Sequence, residues 1–374
     1  MDTLFASGPL PLFLELAAMP SPSGRERAVA ERVAEATRAL GLDPRFDDSG
    51  ERIDSDAGNL YARLEPTAPG LPIFFCAHVD TVVPTAPIDP VVEDGIVRNA
   101  AGTILGADNK AAVAVMLEGV RRVVEEERPH AGIELVFTTR EETGCQGAGA
   151  FDASVLDARC GFVYDHQAPI GEVVVAAPFQ RTIDVVFRGR AAHAGFNPED
   201  GRSAIQAAAR AIADLELGRL DDRTTANVGR IEGGTARNVV PDRCEVVAEA
   251  RSLDEGRLLE VVQTMVDAFA FAASVTDCDV ETNLTELYRG YRLEAENPAL
   301  AIAYSALERT GHTPRGVPVG GGADANVFNA RGIPCVVLSN GMADIHSPDE
   351  HIAVADLDAM VDVTLALVDA ALAA

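Results

Sequence analysis

Acids and imidazoles recur at the ends of apolar runs in this 374-residue chain. "FFCAHVDT" ends with His78 and Asp80, "GADNK" carries Asp108, and "FTTREETG" carries Glu141 and Glu142. "FVYDH" supplies Asp165, and "ADIHSPDE" supplies His346. Gathered in one place, so many acids would repel one another unless something positive sat between them. Histidine combined with carboxylate is a donor set suited to zinc, cobalt or manganese.

Spacing adds detail. Residues two apart in a strand share a face, so Asp80 can accept the imidazole N–H of His78 that is turned away from a metal. Asp108 precedes a helical pattern, where backbone N–H groups favour an anion. Its two carboxylate oxygens can serve two metals. Glu141 and Glu142 are neighbours, and a strand sends neighbours to opposite faces. Taken alone, the pair is either two splayed acids or one centre served in two roles.

The elements that must position these residues alternate along the chain. "LPIFFCAHVD", "GIELVFTTR" and "CGFVYD" read as buried strands, with the helix "NKAAVAVMLEGVRRVVEEE" between the first two. Such alternation predicts an α/β fold with a mixed, mostly parallel sheet flanked by helices. In such sheets ligands bind beyond the carboxyl ends of the strands. An earlier helix is predicted in "SGRERAVAERVAEATRALG", opened by a Ser23–Glu26 capping box and stopped at Gly41. From about residue 178 the order becomes β-α-β-β-α-β, the split ferredoxin-like pattern. The helix "NPALAIAYSALERTG", the strand "IPCVVLSNG" and a closing helix then return to the first pattern. The expected organisation is a catalytic domain of residues 1–177 and 288–374, interrupted by an α+β lid at 178–287.

Composition narrows the partners. A net charge of −27 argues against a nucleic-acid backbone or an anionic membrane. Six cysteines show no C-x-x-C spacing and fit reduced thiols. The start, "MDTLFASGPLPLFLELAAMPSPSG", lacks a basic n-region, and no stretch reaches about 18 uninterrupted apolar residues. A cytoplasmic protein is expected. His130, His312 and His351 join no constellation and are expected at the surface.

"HVDT", "GADNKAA", "REETG", "YD" and "HSPDE", in this order, resemble the dinuclear zinc exopeptidases of the carboxypeptidase G and aminoacylase type, and among them the peptidase T branch. The resemblance covers nearly the whole chain, the ferredoxin-like lid included. It implies two divalent ions, zinc or alternatively cobalt or manganese. His78 and Asp165 would hold one and Glu142 and His346 the other, with Asp108 bridging them. It further implies that Asp80 orients His78, that the Asp108–Asn109 peptide bond is cis, and that Glu141 is the general base. Glu141 would take a proton from the attacking water and return it to the leaving amine. On the lid, His193 would reach a dimer partner's active site. Asn238 and Arg251 would hold a substrate carboxylate or backbone, and Gly321 and Gly322 of "GGGADAN" would line the pocket.

The implied function is exopeptidase cleavage of di- or tripeptides by a homodimer. Deacylation of N-acyl amino acids and an inactive binding relative are the alternatives. Some residues keep second readings. His193 can pack its own loop, Arg251 can form a surface ion pair, and His166 can be a ligand or an outer partner of the site.

Overall fold

The computed structural model describes residues 8–83 and 87–374. Residues 1–7, part of the N-terminal stretch considered above, and residues 84–86 lie outside the described residues. Leaving aside short strands and turns of helix, the elements in chain order begin with α1 (Leu10–Ala17), α2 (Arg27–Ala39), β1 (Leu60–Leu64), β2 (Ile73–His78) and α3 (Ala107–Glu125). β3 (Ile133–Thr138), β4 (Cys160–His166) and β5 (Glu172–Ala177) follow. Next come β6 (Phe179–Arg188), α4 (Ala204–Asp214), β7 (Gly218–Asp221), β8 (Thr224–Gly233), β9 (Arg243–Ser252), α5 (Glu255–Val275) and β10 (Asp279–Glu286). The chain closes with α6 (Pro298–Arg309), α7 (Asp324–Ala330), β11 (Cys335–Ser339) and α8 (Val354–Leu372).

The chain divides into two compact units, Ala177–Tyr291 and the remainder. In the larger unit the principal strands run in the order β1-β3-β2-β4-β11-β5. The β3–β2, β2–β4 and β4–β11 pairs are parallel, whereas β1 and β5 add antiparallel edges. β2 and β3 are buried along their whole length, as strands covered on both faces must be. Close packing shows at Gly161 in β4, where a Cβ would lie 2.0 Å from the Phe74 ring. Parallel strands end on the same side of a sheet, so His78, Thr138 and Asp165 come out together.

α1 was not anticipated. Its proline lies in the first turn, where no intrahelical N–H bond is lost, and Leu12, Phe13, Leu16 and Ala17 are buried. α2 differs in its start. It begins at Arg27 with no side-chain cap, so Ser23 and Glu26 do not form the expected capping box. Both side chains are bonded elsewhere, as described below. His130, expected at the surface, is buried, and burial holds its pKa below the usual imidazole range.

The smaller unit is a five-stranded antiparallel sheet in the order β7-β8-β9-β6-β10. Ile183, Val185 and Phe187 alternate on one face of β6, and Val246, Ala248 and Ala250 on one face of β9. Leu258, Val261, Val262, Met265 and Phe269 of α5 complete the same core. This is the ferredoxin-like unit with one additional strand, β7. That strand has no apolar alternation and is mostly exposed, so its sequence reads as a turn. Among the described residues, α5 is the one helix long and apolar enough to span a membrane. Here one of its faces is packed against the unit's own sheet.

Candidate functional site

The strand exits of the larger unit converge. His78 ends β2, and its Nε2 lies 3.1 Å from Asp108 Oδ1 and 3.6 Å from Asp165 Oδ1. On the other side, His346 Nε2 lies 3.1 Å from Asp108 Oδ2 and 3.1 Å from Glu142 Oε1. Asp108 therefore turns one oxygen toward each imidazole. The donor atoms form two groups, His78–Asp108–Asp165 and Asp108–Glu142–His346, each within 4.8 Å of one another. The Asp108–Asn109 peptide bond is cis.

Burial makes the electrostatics severe. It pushes the Glu141 carboxyl well above the usual range, raises Glu142, and moves Asp165 up to about 8. Asp108 is also opposed by burial, but hydrogen bonds from His346 and His78 outweigh it and hold its pKa low. Burial likewise disfavours the His78 cation, yet contacts to Asp108, Asp165 and Asp80 hold its pKa well above normal. Hydrogen bonds to Asp108 and Glu142 lift His346 to about 10. The carboxylates around both imidazoles thus favour positive charge at this place. The donor chemistry fits two dications: two imidazoles and three ligand carboxylates, one of which, Asp108, is shared.

Glu141 faces different neighbours from Glu142. Its Oε1 accepts from the Cys145 thiol at 3.3 Å, and Cys145 and Asp324 have donor atoms within 4.8 Å of it. Adjacent acids are therefore divided: Glu142 meets His346, and Glu141 meets Cys145 and Asp324 in a buried acid–thiol corner beside the centre. In "GGGADAN" it is the acid Asp324, not the glycines, that enters this corner. It is fully buried, accepts from the Thr138 hydroxyl and, at 3.6 Å, from the Cys76 thiol, and burial moves it up to about 6. An acid beginning a short apolar helix was the available signal.

Asp80 differs from its expected geometry. β2 ends at His78, so the two-residue strand periodicity does not extend to Asp80. His78 Nδ1 lies 2.9 Å from the Asp80 backbone oxygen and 3.5 Å from its carboxylate. The carboxylate instead accepts the backbone N–H of Glu141 at 2.9 Å and of Glu142 at 3.2 Å. Glu350, four residues after His346, does the same for the opposite loop. It accepts the N–H groups of Leu105, Gly106 and Asp108 at 2.7, 2.9 and 3.0 Å. The acids thus fall into two classes, those aimed at the centre and those gripping the backbone that carries it. Within "HSPDE" only His346 had been singled out.

The remaining candidates lie apart. β4 sends Asp165 and His166 to opposite faces, and His166 Nε2 contacts Glu172 at 3.0 Å, so it joins neither donor group. Gly321 is exposed, with no described atom within 4 Å of a Cβ built on it, so no close approach within the chain explains it. Gly322 is half-buried beside it. In the smaller unit His193 and Asn238 are exposed. His193 stacks on Phe196 with centroids 4.3 Å apart, and Arg251 forms two bonds of 3.0 Å to Glu249.

The peptidase dimerisation domain of family M20 matches residues 181–276, and peptidase family M28 matches residues 59–166. The chain is 38% identical to the Bacillus subtilis protein YqjE over 96% of its own length and 97% of that protein's. The crystal structure of aminopeptidase PepT from Bacillus cereus shares 38% identity, with a TM-score of 0.85, over 97% of this chain and 98% of that one. The chain belongs to the M20-type metallopeptidases of the peptidase T group. A tripeptidase from Staphylococcus aureus gives a TM-score of 0.90 at 35% identity, covering 98% of each chain. The M28 match includes His78, Asp108, Glu141, Glu142 and Asp165, and the dimerisation match falls within the smaller unit. Like its M20-type relatives, the protein is a metal-dependent peptide-bond hydrolase.

Proposed function

We propose that this enzyme is an exopeptidase acting on di- and tripeptides, with two divalent ions, zinc in the first instance, in the paired donor groups. The carrying observation is the shared Asp108, whose two oxygens face two separate imidazole–carboxylate sets. When bound, two such ions polarise the scissile carbonyl and lower the pKa of water. His78 and Asp165 would hold one, Glu142 and His346 the other.

The chain's own residues account for the proton. Glu141 lies beside this centre, and burial raises its affinity for a proton, which suits a carboxylate that takes a proton from water and returns it to nitrogen. Asp80 fixes the turn that carries Glu141 and Glu142. On the lid, exposed His193 would serve a dimer partner's active site and exposed Asn238 would hold substrate, and Arg251 offers a planar fork matched to a carboxylate, which would have to compete with Glu249. Gly321 and Gly322 would leave the pocket wall open.

The reading includes a homodimer formed through the lid, supported by the dimerisation-domain match. It also includes a cytoplasmic location, supported by six free cysteines. The deciding experiment is a panel of di- and tripeptides beside N-acetyl and N-succinyl amino acids, run with zinc, cobalt and manganese. Peptide cleavage is expected. Cleavage confined to the acyl compounds would replace this reading with a deacylase.

A further inference from the structure

The unused S-x-x-E spacing lies in a segment that touches the exits of β2 and β3 and the first turn of α3. Lys110 Nζ donates to the Met19 carbonyl at 2.6 Å, the Ser21 hydroxyl to the Val79 carbonyl at 2.8 Å, and Thr81 N–H to the Ser21 carbonyl at 2.9 Å. The Ser23 hydroxyl donates to Asp80 Oδ2 at 2.7 Å, on the carboxylate that accepts the Glu141 and Glu142 amides. Glu26 is fully buried. Its Oε1 accepts Gly24 N–H at 2.7 Å and Arg140 N–H at 3.1 Å, and its Oε2 accepts the Ser55 hydroxyl at 2.7 Å. Gly24 lies between them at φ +89°, where a Cβ would be 3.3 Å from the Arg140 guanidinium.

Three successive amides, those of Arg140, Glu141 and Glu142, are therefore held by two buried carboxylates, one oriented by Ser23 and the other being Glu26. We propose that Ser23 and Glu26 are positioning residues for the turn Arg140–Glu142, setting the place of the proton-transfer group and of the neighbouring metal ligand together. The physical basis is rigidity. Side chains on adjacent residues of one turn move as a body, and a displacement of about 1 Å at a reacting group can cost on the order of a hundredfold in rate. A hydrogen bond to a buried carboxylate is among the stronger ones available to hold such a turn. α2 starts without a side-chain cap, so these two side chains are given to the turn instead.

The proposal rests on the reading of Glu141 and Glu142 given above, so its test includes a readout that needs no turnover. Ser23→Ala, Ser23→Thr, Glu26→Gln and Glu26→Ala are compared with the parent as full chains. Backbone hydrogen exchange is followed over residues 139–146, beside kcat and KM on a tripeptide and metal content by elemental analysis. Ser23→Ala should speed exchange of the Glu141 and Glu142 amides and lower kcat by about ten- to hundredfold, with KM and two bound metals kept. Ser23→Thr, which keeps the hydroxyl, should restore both. Glu26→Gln keeps an acceptor for Arg140 and should stay near the parent, whereas Glu26→Ala should release the Arg140 amide.

Unchanged exchange and kcat in Ser23→Ala would overturn the proposal. So would a loss that threonine does not restore. If Glu26→Ala fails to fold, the serine pair decides alone. If the parent cleaves no peptide, the substrate reading fails, and the exchange pattern still supports or sinks the brace.

Discussion

The two units handle polar residues in opposite ways. In the larger unit, acids and imidazoles from four strand exits are gathered into one centre that is largely buried, with His346 at its open side, and further buried carboxylates grip the backbone beneath them. In the smaller unit the candidate residues stay near the surface and pair locally, Arg251 with Glu249 and His193 with Phe196. A site concentrated by burial has strongly shifted protonation and little freedom, whereas surface groups keep their freedom and contribute little on their own. The contrast predicts that substitutions in the larger unit act on metal binding and rate, and those in the lid on substrate affinity.

The largest effect is expected from Glu141→Ala, which should lower kcat by about a hundred- to ten-thousandfold while both metals remain, measured by steady-state kinetics and elemental analysis. Loss of metal instead would exchange the roles of Glu141 and Glu142. Next, Glu350→Ala removes the acceptor for three amides of the Asp108 loop and should weaken metal affinity about ten- to hundredfold, read by competition with a chelator. Glu350→Gln should lie between, because its carbonyl can keep one set of contacts while its amino group faces another N–H.

Metal binding itself should release protons near pH 7. Without metal Asp165 titrates at about 8 and His346 at about 10, so both carry protons there that ligation must expel. Calorimetric titration in two buffers of different ionisation enthalpy reads the number released. A heat independent of buffer would contradict the paired centre.

Asp324 gives a smaller, signed effect. Burial raises its carboxyl from 3.8 to about 6, so between those values the folded chain keeps a proton that the unfolded chain has shed. Its contribution therefore becomes less favourable as pH rises from about 4 through about 6. In the metal-free protein, Asp324→Asn should match the parent near pH 4 and gain stability relative to it above pH 6, by denaturant midpoints. The smallest effect belongs to the lid. Arg251→Ala should change stability by less than about 1 kcal/mol and leave metal content intact, because its ion pair with Glu249 is a third exposed. A rise in KM alone would place it at the substrate. Loss of metal would erase the distinction between the units.

Local pattern carried a large part of this protein in the sequence itself. Apolar runs of strand length in β2, β3 and β4, helical spacing in α3 and α5, and the acid or histidine at each run's end are properties of neighbouring residues. What distance along the chain hides was decided only in three dimensions. Glu350 reaches amides some 240 residues earlier, Asp324 meets Glu141 from the far end of the larger unit, and Ser23 and Glu26 leave their helix to hold a turn more than a hundred residues away. A side chain of a given type offers the same hydrogen bonds wherever it stands, so sequence names the offer, and only the packed core, by denying it water, determines which partner must accept.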